Sequence, residues 1–219
     1  MPTAPHLPAA DFSRVAGVYD GLASLVFGRA QRRAQLAALR AGLPLAGEAP
    51  HVLVLGGGSG WVLTELLRQC PAARVLYLET SGAMLAQAQA RLARHAPAKQ
   101  AQVEFRQGSE RDLRPGEQFD AVITFFVLDC FTLEDFPGAL ARLQAARRPG
   151  APWLVADFRP PRNWWQRGLL RAMYLFFGAA VGLRARRLPP WPTALAEACD
   201  SKSYNSEFYF GFIAAQVWR

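Results

Sequence analysis

Short apolar runs alternate with segments of helical periodicity along most of this chain, and this alternation constrains the fold more than any other feature. The runs are HVLVL, ARVLYLET, QVEFRQ, FDAVITFF and PWLVADF, which begin at residues 51, 73, 102, 119 and 152. Continuous apolar runs are typical of strands buried on both faces of a parallel sheet. Strands separated by helices form βαβ units with right-handed crossovers, which cover both faces of the sheet. The pattern therefore predicts a doubly wound α/β fold.

Helical periodicity fills the segments between these runs. It starts near Asp11 and continues to about Ala41, returns in WVLTELLRQC and SGAMLAQAQARLARH, and occurs again over residues 136–147. Ser81 stands where its side chain would cap the helix that follows it. The last stretch, SKSYNSEFYFGFIAAQVWR, predicts two strands with a tight connection, which would form an antiparallel pair at one edge of the sheet.

The domain organisation that we expect is simple. Of the 219 residues, 51% are hydrophobic, which suits one domain with a substantial core. Residues 1–10 hold three prolines and few packing residues, so a flexible tail is predicted there. A single domain is predicted over residues 11–219.

An apolar insert at about residues 159–192 separates the fifth strand from the closing pair. Its sequence, PPRNWWQRGLLRAMYLFFGAAVGLRARRLPPW, predicts a helical lid. Most apolar helix faces belong to the core, which favours packing on the domain's own sheet. Aromatic side chains flanked by arginines are also typical of helices at membrane surfaces, so contact with an anionic membrane stays open. The broad apolar surface would come from Trp164, Trp165, Leu169, Leu170, Met173, Phe176 and Phe177.

The net charge of +8 is mostly local, so an anionic partner has to be considered. Residues 158–196 contain no Asp or Glu. Because their arginines are interleaved with the apolar insert, and no separate RNA-binding module is present, a nucleic-acid partner is disfavoured. The arginines of this span are Arg159, Arg162, Arg167, Arg171, Arg184, Arg186 and Arg187.

Cysteine and histidine usage argues against metal and disulfide chemistry. The three cysteines form no C-x-x-C pair and the three histidines have no metal-like spacing, so no metal site is predicted and a reducing compartment is favoured. The N-terminus lacks a basic start followed by an apolar run, and the apolar run at residues 172–183 is shorter than the roughly 20 residues that span a bilayer. We expect a cytoplasmic location, with peripheral membrane contact as an open alternative.

Four glycines lie within five residues after the first strand, in LGGGSGW. A glycine-rich turn at the carboxyl end of a parallel strand lets a ligand lie against bare main chain, and the next helix offers its N-terminal N–H groups. Glu79 ends the second strand, where a carboxylate would bind ribose hydroxyls. The pattern of Gly56, Gly58 and Gly60 is G-x-G-x-G. Dinucleotide enzymes use G-x-G-x-x-G, so a nicotinamide-dependent oxidoreductase is disfavoured.

In their order along the chain, these segments resemble the motifs of class I S-adenosylmethionine-dependent methyltransferases. VLVLGGGSG resembles the first motif, YLETS the second, VEFRQGSERDL the third, FDAVITFFVLDCF the fourth and RRPGAPWLVADF the fifth. YFGFIAAQVWR resembles the antiparallel seventh strand of the family. The resemblance implies a mostly parallel, seven-stranded Rossmann-like sheet with an antiparallel C-terminal strand pair and helices on both faces. It also implies S-adenosylmethionine as the cofactor.

The resemblance implies a set of cofactor-binding residues, most of them at the ends of the strands. They are Gly56, Gly58 and Gly60 for the amino-acid part, Glu79 and Thr80 for the ribose, Ser109 and Glu110 for the adenine, Thr124 and Phe125 for the methionine portion, and Tyr19, which would fold over the cofactor. Structural roles remain open for two of these residues, since Ser109 suits a turn and Tyr19 suits a half-buried helix face.

Two departures from the family pattern favour weaker cofactor binding. Val54 stands where the first motif usually has an acidic residue, and Ser109 stands where the adenine side usually has Asp. Asp129, after the fourth strand, is the candidate catalytic residue, because apolar neighbours would raise its pKa toward that of a general base. A helix cap or an ion pair is the alternative for Asp129. Asp157 is a second candidate, and Cys130 is interpreted as a core residue.

The predicted function is the transfer of a methyl group from S-adenosylmethionine to a small, apolar or quinone-like acceptor. The methyl of a sulfonium is already activated, so the protein must align the acceptor in line and exclude water, and it needs no nucleophile of its own. The N-terminal YD segment and the closing strand pair somewhat resemble quinone-modifying members of the family. A nucleic-acid methyltransferase and a non-catalytic S-adenosylmethionine-binding protein are the alternatives.

Overall fold

A seven-stranded sheet runs through the computed structural model, which describes residues 26–43 and 49–219. The strand order is β3-β2-β1-β4-β5-β7-β6, in which β7 is antiparallel to both of its neighbours and the other pairs are parallel. The predicted fold class, including the antiparallel C-terminal pair, is confirmed. The strands are β1 His51–Leu55, β2 Arg74–Glu79, β3 Val103–Gln107, β4 Ala121–Phe125, β5 Trp153–Phe158, β6 Lys202–Phe208 and β7 Ile213–Trp218.

Six α-helices accompany the strands within the described residues. They are α1 Ala30–Gly42, α2 Trp61–Gln69, α3 Gly82–His95, α4 Phe136–Ala146, α5 Trp164–Val181 and α6 Trp191–Ala198. Ser81 caps α3, as predicted, by accepting a hydrogen bond from the N–H of Met84 at 3.3 Å. The predicted tail at residues 1–10 and Tyr19 lie outside the described residues, and the domain boundaries stay a prediction.

The helices differ from the sequence-based prediction in two places. Helical periodicity was predicted from near Asp11 to about Ala41, and within the described residues it is interrupted at Gly28, whose left-handed φ of 58° turns the chain before α1 begins. No separate helix was predicted at the end of the insert, but α6 begins at Trp191, directly after Pro189 and Pro190. Proline is tolerated in the first turn of a helix, since the N–H group that it lacks has no intrahelical partner at that position.

The two faces of the sheet carry separate parts of the core, as the alternation along β1 shows. Val52 and Val54 pack with α1, α2 and α3, whereas Leu53 and Leu55 pack with α4 and α6. Successive side chains of a strand point to opposite faces of the sheet, so a strand that is covered on both faces needs apolar residues at every position. The helices thus lie on both faces, and the carboxyl ends of the parallel strands share one edge of the sheet.

Helix α5 occupies the insert that was predicted to form a lid, and it follows β5 at the carboxyl end of that strand. Asn163 and Gln166 form a capping box at its start, and Gly182, with a φ of 70°, ends it. Leu170 and Tyr174 are buried against the domain, whereas Trp164 is 79% exposed. The helix therefore covers the carboxyl edge of the sheet with one side only.

Within residues 26–43 and 49–219, no helix is long and apolar enough to cross a membrane.

Candidate active site

The glycine turn lies where the chain order of the sheet reverses, because β1 pairs with both β2 and β4. Gly56, Gly58 and Gly60 have φ values of 62°, 62° and 85°, which residues with a Cβ rarely adopt. A Cβ at Gly56 would lie 2.4 Å from Cγ2 of Val127, and one at Gly60 would lie 2.7 Å from Cα of Ala88. The turn is therefore wedged between the loop after β4 and helix α3.

Two side chains that the sequence analysis missed hold this turn. The hydroxyl of Tyr77 donates a hydrogen bond to the carbonyl of Gly58 at 2.9 Å, and Nε of Arg91 donates to the carbonyl of Ser59 at 2.9 Å. The signal for Tyr77 was present, because a tyrosine inside a fully apolar strand needs a partner for its hydroxyl. Val54, where the family pattern has an acidic residue, is buried in the core. Tyr77 and Arg91 thus fix the turn without a carboxylate at position 54.

Glu79 ends β2 beside the turn, and only 6% of it is exposed. The N–H of Gly58 donates to its Oε2 at 3.0 Å, and the N–H of Ser81 donates to its Oε1 at 2.9 Å. Thr80 Oγ1 lies 3.4 Å from the same Oε1. Burial raises the pKa of Glu79 above its ordinary value, and these hydrogen bonds oppose the rise. The structure brings Glu79, Thr80 and the glycine turn together, and ribose binding stays a prediction.

Ser109 and Glu110 follow β3 in a short 3₁₀ turn, Glu110–Asp112. Oγ of Ser109 accepts from the N–H of Arg111 at 3.2 Å, and Asp112 Oδ2 accepts from the N–H of Ser109 at 2.8 Å. Glu110 is buried and lies within ion-pair distance of Arg111 and Arg142. The N–H of Gly108 donates to the carbonyl of Glu79 at 2.9 Å, which places this turn next to the Glu79 site. Adenine binding there remains a prediction.

Thr124 and Phe125 end β4, and their side chains lie within the core. Oγ1 of Thr124 accepts a hydrogen bond from Nε1 of Trp153 at 3.0 Å, and Phe125 is 5% exposed. The hydroxyl of Thr124 thus has a structural partner in the core, and contact with a methionine portion stays a prediction. Phe126 follows with a φ of 55°, a conformation that is costly for an aromatic residue. Such strain is often found at functional sites, and Asp129 lies in the 3₁₀ turn just beyond it.

Asp129 and Asp157 form a buried pair of interacting carboxyl groups. Asp157 is fully buried at the end of β5, where its two oxygens accept from the N–H groups of Phe158 at 2.7 Å and Leu128 at 2.9 Å. Burial raises the pKa of Asp129 to about 6, and burial together with the charge of Asp129 raises the pKa of Asp157 well above its ordinary value. Two adjacent buried carboxylates repel each other, which favours the protonated form of the pair.

Cys130 and Tyr174 complete the surroundings of the pair. The thiol of Cys130 lies 3.6 Å from Oδ1 of Asp129, and the hydroxyl of Tyr174, on α5, donates to the main-chain carbonyl of Asp129 at 3.1 Å. Burial and the charges of Asp129, Asp157 and Glu79 raise the pKa of Cys130 well above its ordinary value. Cys130 is half-buried against the core, in line with its interpretation as a core residue.

A parallel sheet of this order, with an antiparallel seventh strand and a glycine turn facing an acidic residue at the end of the next strand, defines the class I methyltransferase fold. Residues 52–150 match the model of a family described as a methyltransferase domain. Residues 52–150 are therefore similar to a methyltransferase domain, and the predicted resemblance to class I methyltransferases is confirmed by this match together with the fold.

Solved structures of low sequence identity share the fold. An O-methyltransferase family protein from Burkholderia thailandensis is 17% identical with a TM-score of 0.68, over 91% of this chain and 58% of its own. The DhpI–SAH complex is 24% identical with a TM-score of 0.64, over 94% and 92%. An O-methyltransferase family 2 protein from Planctomyces limnophilus, in complex with apigenin, is 16% identical with a TM-score of 0.69, over 94% and 62%. The chain thus spans less than two thirds of the length of the Burkholderia thailandensis and Planctomyces limnophilus proteins. No curated protein matches its sequence.

Proposed function

We propose that this chain transfers the methyl group of S-adenosylmethionine to a hydroxyl group of a small, largely apolar acceptor, such as a reduced quinone. The observation that carries the proposal is the buried carboxylate of Glu79 beside the side-chain-free turn at Gly58, joined by a hydrogen bond of 3.0 Å. A ribose diol presents two hydroxyl donors. Oε2 of Glu79 accepts only from the N–H of Gly58 and retains a lone pair for one of them, and the long bond from Thr80 to Oε1, at 3.4 Å, can be replaced by the other. The residues present therefore fit this cofactor.

The glycine turn and the N-terminus of α2 suit the amino-acid part of the cofactor. A Cβ at Gly58 would touch only Sδ of Met84, at 3.7 Å, among the described residues, so the main chain there is open to close approach. The cofactor supplies an activated methyl group on a sulfonium. The remaining tasks of the chain are to align the acceptor, to exclude water and to receive a proton.

Asp129 is the group that receives the proton in this proposal. Asp129, with a pKa of about 6, is ionised near neutral pH and is the more accessible of the two, at 7% exposure. A base with a pKa of about 6 is well matched to a hydroxyl acceptor, which must lose a proton as its oxygen is methylated. Asp157 is a positioning residue, since its oxygens bind main-chain N–H groups. The O-methyltransferases among the similar structures support an oxygen acceptor.

The experiment is a methyl-transfer assay with the full chain. Purified protein is incubated with S-adenosylmethionine carrying a labelled methyl group and with paired acceptors that differ only in a hydroxyl or an amino group on the same apolar ring. We expect label in the hydroxyl acceptors, with inhibition by S-adenosylhomocysteine. Calorimetric binding of S-adenosylmethionine without transfer to any acceptor would favour the non-catalytic alternative, and the absence of binding would overturn the proposal.

A further inference from the structure

Among the described residues, the large apolar side chains that are exposed lie at one end of the molecule. Each belongs to a segment at the carboxyl end of the parallel strands: the loop after β4, helix α5, or the turn between β6 and β7. Exposed apolar residues are ordinarily scattered, and their collection in one region marks an interaction surface. Among the described residues, these side chains are Leu133, Trp164, Leu175, Phe176 and Phe210.

Helix α5 presents one stripe of this surface. Positions 164, 168, 171, 172, 175 and 179 follow helical spacing, and all of them are exposed. Apart from Arg171, the stripe consists of Trp, Leu, Ala and Gly residues, and Arg167 lies at its border. The opposite side of the helix, with Leu170 and Tyr174, is buried on the domain. The outer face of α5 is therefore apolar and basic, and no described element covers it.

Phe210 extends the stripe beyond the start of α5. Its ring is 82% exposed, in a turn where Tyr209 and Phe210 have φ values of 50° and 57°. The Nε2 of Gln166 donates to the carbonyl of Phe210 at 3.1 Å, and the ring of Trp165 lies 6.0 Å from that of Phe210. The turn is thus fixed against α5 while its aromatic ring faces solvent. A strained turn that exposes an aromatic side chain is costly unless the ring has a partner.

The surface at the carboxyl end of the parallel strands carries an excess of positive charge. Arg159 and Arg162 pair with Glu207, and Arg184 lies 3.7 Å from Asp135. No carboxylate in the described part of the chain lies within ion-pair distance of the remaining arginines between residues 158 and 196. These arginines are Arg167, Arg171, Arg186 and Arg187.

We propose that the outer face of α5 together with Phe210, called here the α5–Phe210 surface, docks on an anionic lipid bilayer. Trp, Phe and Leu side chains enter the headgroup region, and arginines without acidic neighbours are attracted to anionic lipids. A second copy of the chain is a poorer occupant, because it would place Arg167 and Arg171 opposite like charges. The inference concerns a surface outside the proposed active site. Docking would hold the carboxyl pair under α5 next to the bilayer, where an apolar acceptor concentrates.

The test is cosedimentation of the full chain with phosphatidylcholine vesicles, with and without phosphatidylglycerol. We expect retention on the anionic vesicles at low salt and a decrease as salt is added. The double variant Arg167→Gln/Arg171→Gln should bind about 30-fold more weakly, from about fivefold for each arginine at the surface. Trp164→Ser/Leu175→Ser should bind about tenfold more weakly, since two apolar side chains no longer insert.

The matched control is Arg74→Gln/Arg94→Gln, which removes the same charge from exposed positions at the amino end of the parallel strands. It should change vesicle binding by no more than about twofold, because these positions lie beyond the reach of surface electrostatics. All substituted side chains are exposed, so unfolding temperatures and cofactor binding should be unchanged. Because cofactor binding is measured separately from vesicle binding, a failure of the docking proposal can be distinguished from a failure of the proposed reaction.

Several results would overturn the inference. One is a lack of retention on anionic vesicles at low salt, and another is an equal loss in the control. A dimer in solution that Trp164→Ser/Leu175→Ser dissociates would make the surface an interface between copies. Binding to RNA with the same sensitivity to both double variants, in the absence of vesicle binding, would make it a nucleic-acid surface.

Discussion

The candidate site has two halves. The cofactor half is the glycine turn with Glu79, the acceptor half is Asp129 with Asp157, and the buried carboxyl groups of Glu79 and Asp129 have different kinds of partner. In the cofactor half, Glu79 accepts hydrogen bonds from the N–H groups of Gly58 and Ser81. In the acceptor half, the Asp129 carboxyl has, besides its own main-chain N–H, the thiol of Cys130 and the carboxyl of Asp157 as partners. Main-chain donors cannot lose their protons, so Glu79 is held as a fixed acceptor. Asp129 shares its environment with a group that titrates, so it is suited to exchanging a proton.

The halves also differ in what builds them. Two adjacent parallel strands and the turn between β1 and α2 form the cofactor half. The acceptor half depends on side chains from β5, from the turn after β4 and from α5, where Tyr174 donates to the carbonyl of Asp129. The first half is therefore made of local main-chain geometry, and the second of tertiary packing. Variants of Glu79 and Asp129 should separate binding from chemistry.

The largest expected effect is that of Asp129→Asn on turnover. Loss of a general base typically lowers the rate about 10²- to 10⁴-fold, and we expect a fall in kcat within this range. The dissociation constant of S-adenosylmethionine should be unchanged, because Asp129 belongs to the other half. Initial rates at saturating cofactor, with calorimetry, measure both. Asp200→Asn, at an exposed site, is the matched control. A variant that retains full kcat would remove Asp129 from the chemistry.

The next effect is that of Glu79→Gln on cofactor affinity. We expect binding of S-adenosylmethionine and S-adenosylhomocysteine to weaken about 10- to 100-fold, as for the loss of a hydrogen bond to a charged group. Glutamine also places an NH₂ group against the N–H of Gly58 or Ser81, so the turn itself is disturbed. Tyr77→Phe disturbs the turn through Gly58 but keeps the carboxylate, and its affinity should fall less. Equal losses in both variants would mean that Glu79 acts only through the turn. Glu197→Gln, exposed on α6, serves as the surface control.

The smallest effect concerns the dependence of stability on pH. The pKa of Asp129 is about 6 in the folded chain, against an ordinary value of 3.8. Between these two values the folded state binds more protons than the unfolded state, so this group makes stability fall as pH rises through that window. Asp129→Asn removes this contribution and should stabilise the protein at pH 8 by about 1–3 kcal/mol. Urea unfolding from pH 4 to pH 8 tests this. A parallel pH profile in the two proteins would contradict the assignment.

The cofactor half was largely predictable from sequence, because its parts are close along the chain or on neighbouring strands. The apolar run before Gly56 identified β1, and Glu79 followed from the end of the next strand. The supports of the turn were harder to predict, since Arg91 reaches the carbonyl of Ser59 from the middle of α3. Such a contact depends on how the helix is rotated on the sheet.

For the acceptor half, the sequence allowed individual candidate residues to be predicted, but not their arrangement. Asp129 and Asp157 were both selected, but their pairing depends on the register between β4 and β5. The same register brings Trp153 to Thr124, which gave the Thr124 hydroxyl a structural partner that no local pattern indicated. The interruption at Gly28 was not predicted. The spacing of apolar residues continues across Gly28, and this spacing does not depend on whether the glycine has a positive φ.

Gln166 has a consequence for how this architecture can vary. It is fully buried, it accepts from the N–H groups of Arg162 and Asn163, and it donates to the carbonyl of Phe210. One amide side chain thus joins the first turn of α5 to the closing hairpin. A residue inserted between β5 and α5 would break all three of these hydrogen bonds at once, so the length of this connection is tied to the position of the hairpin.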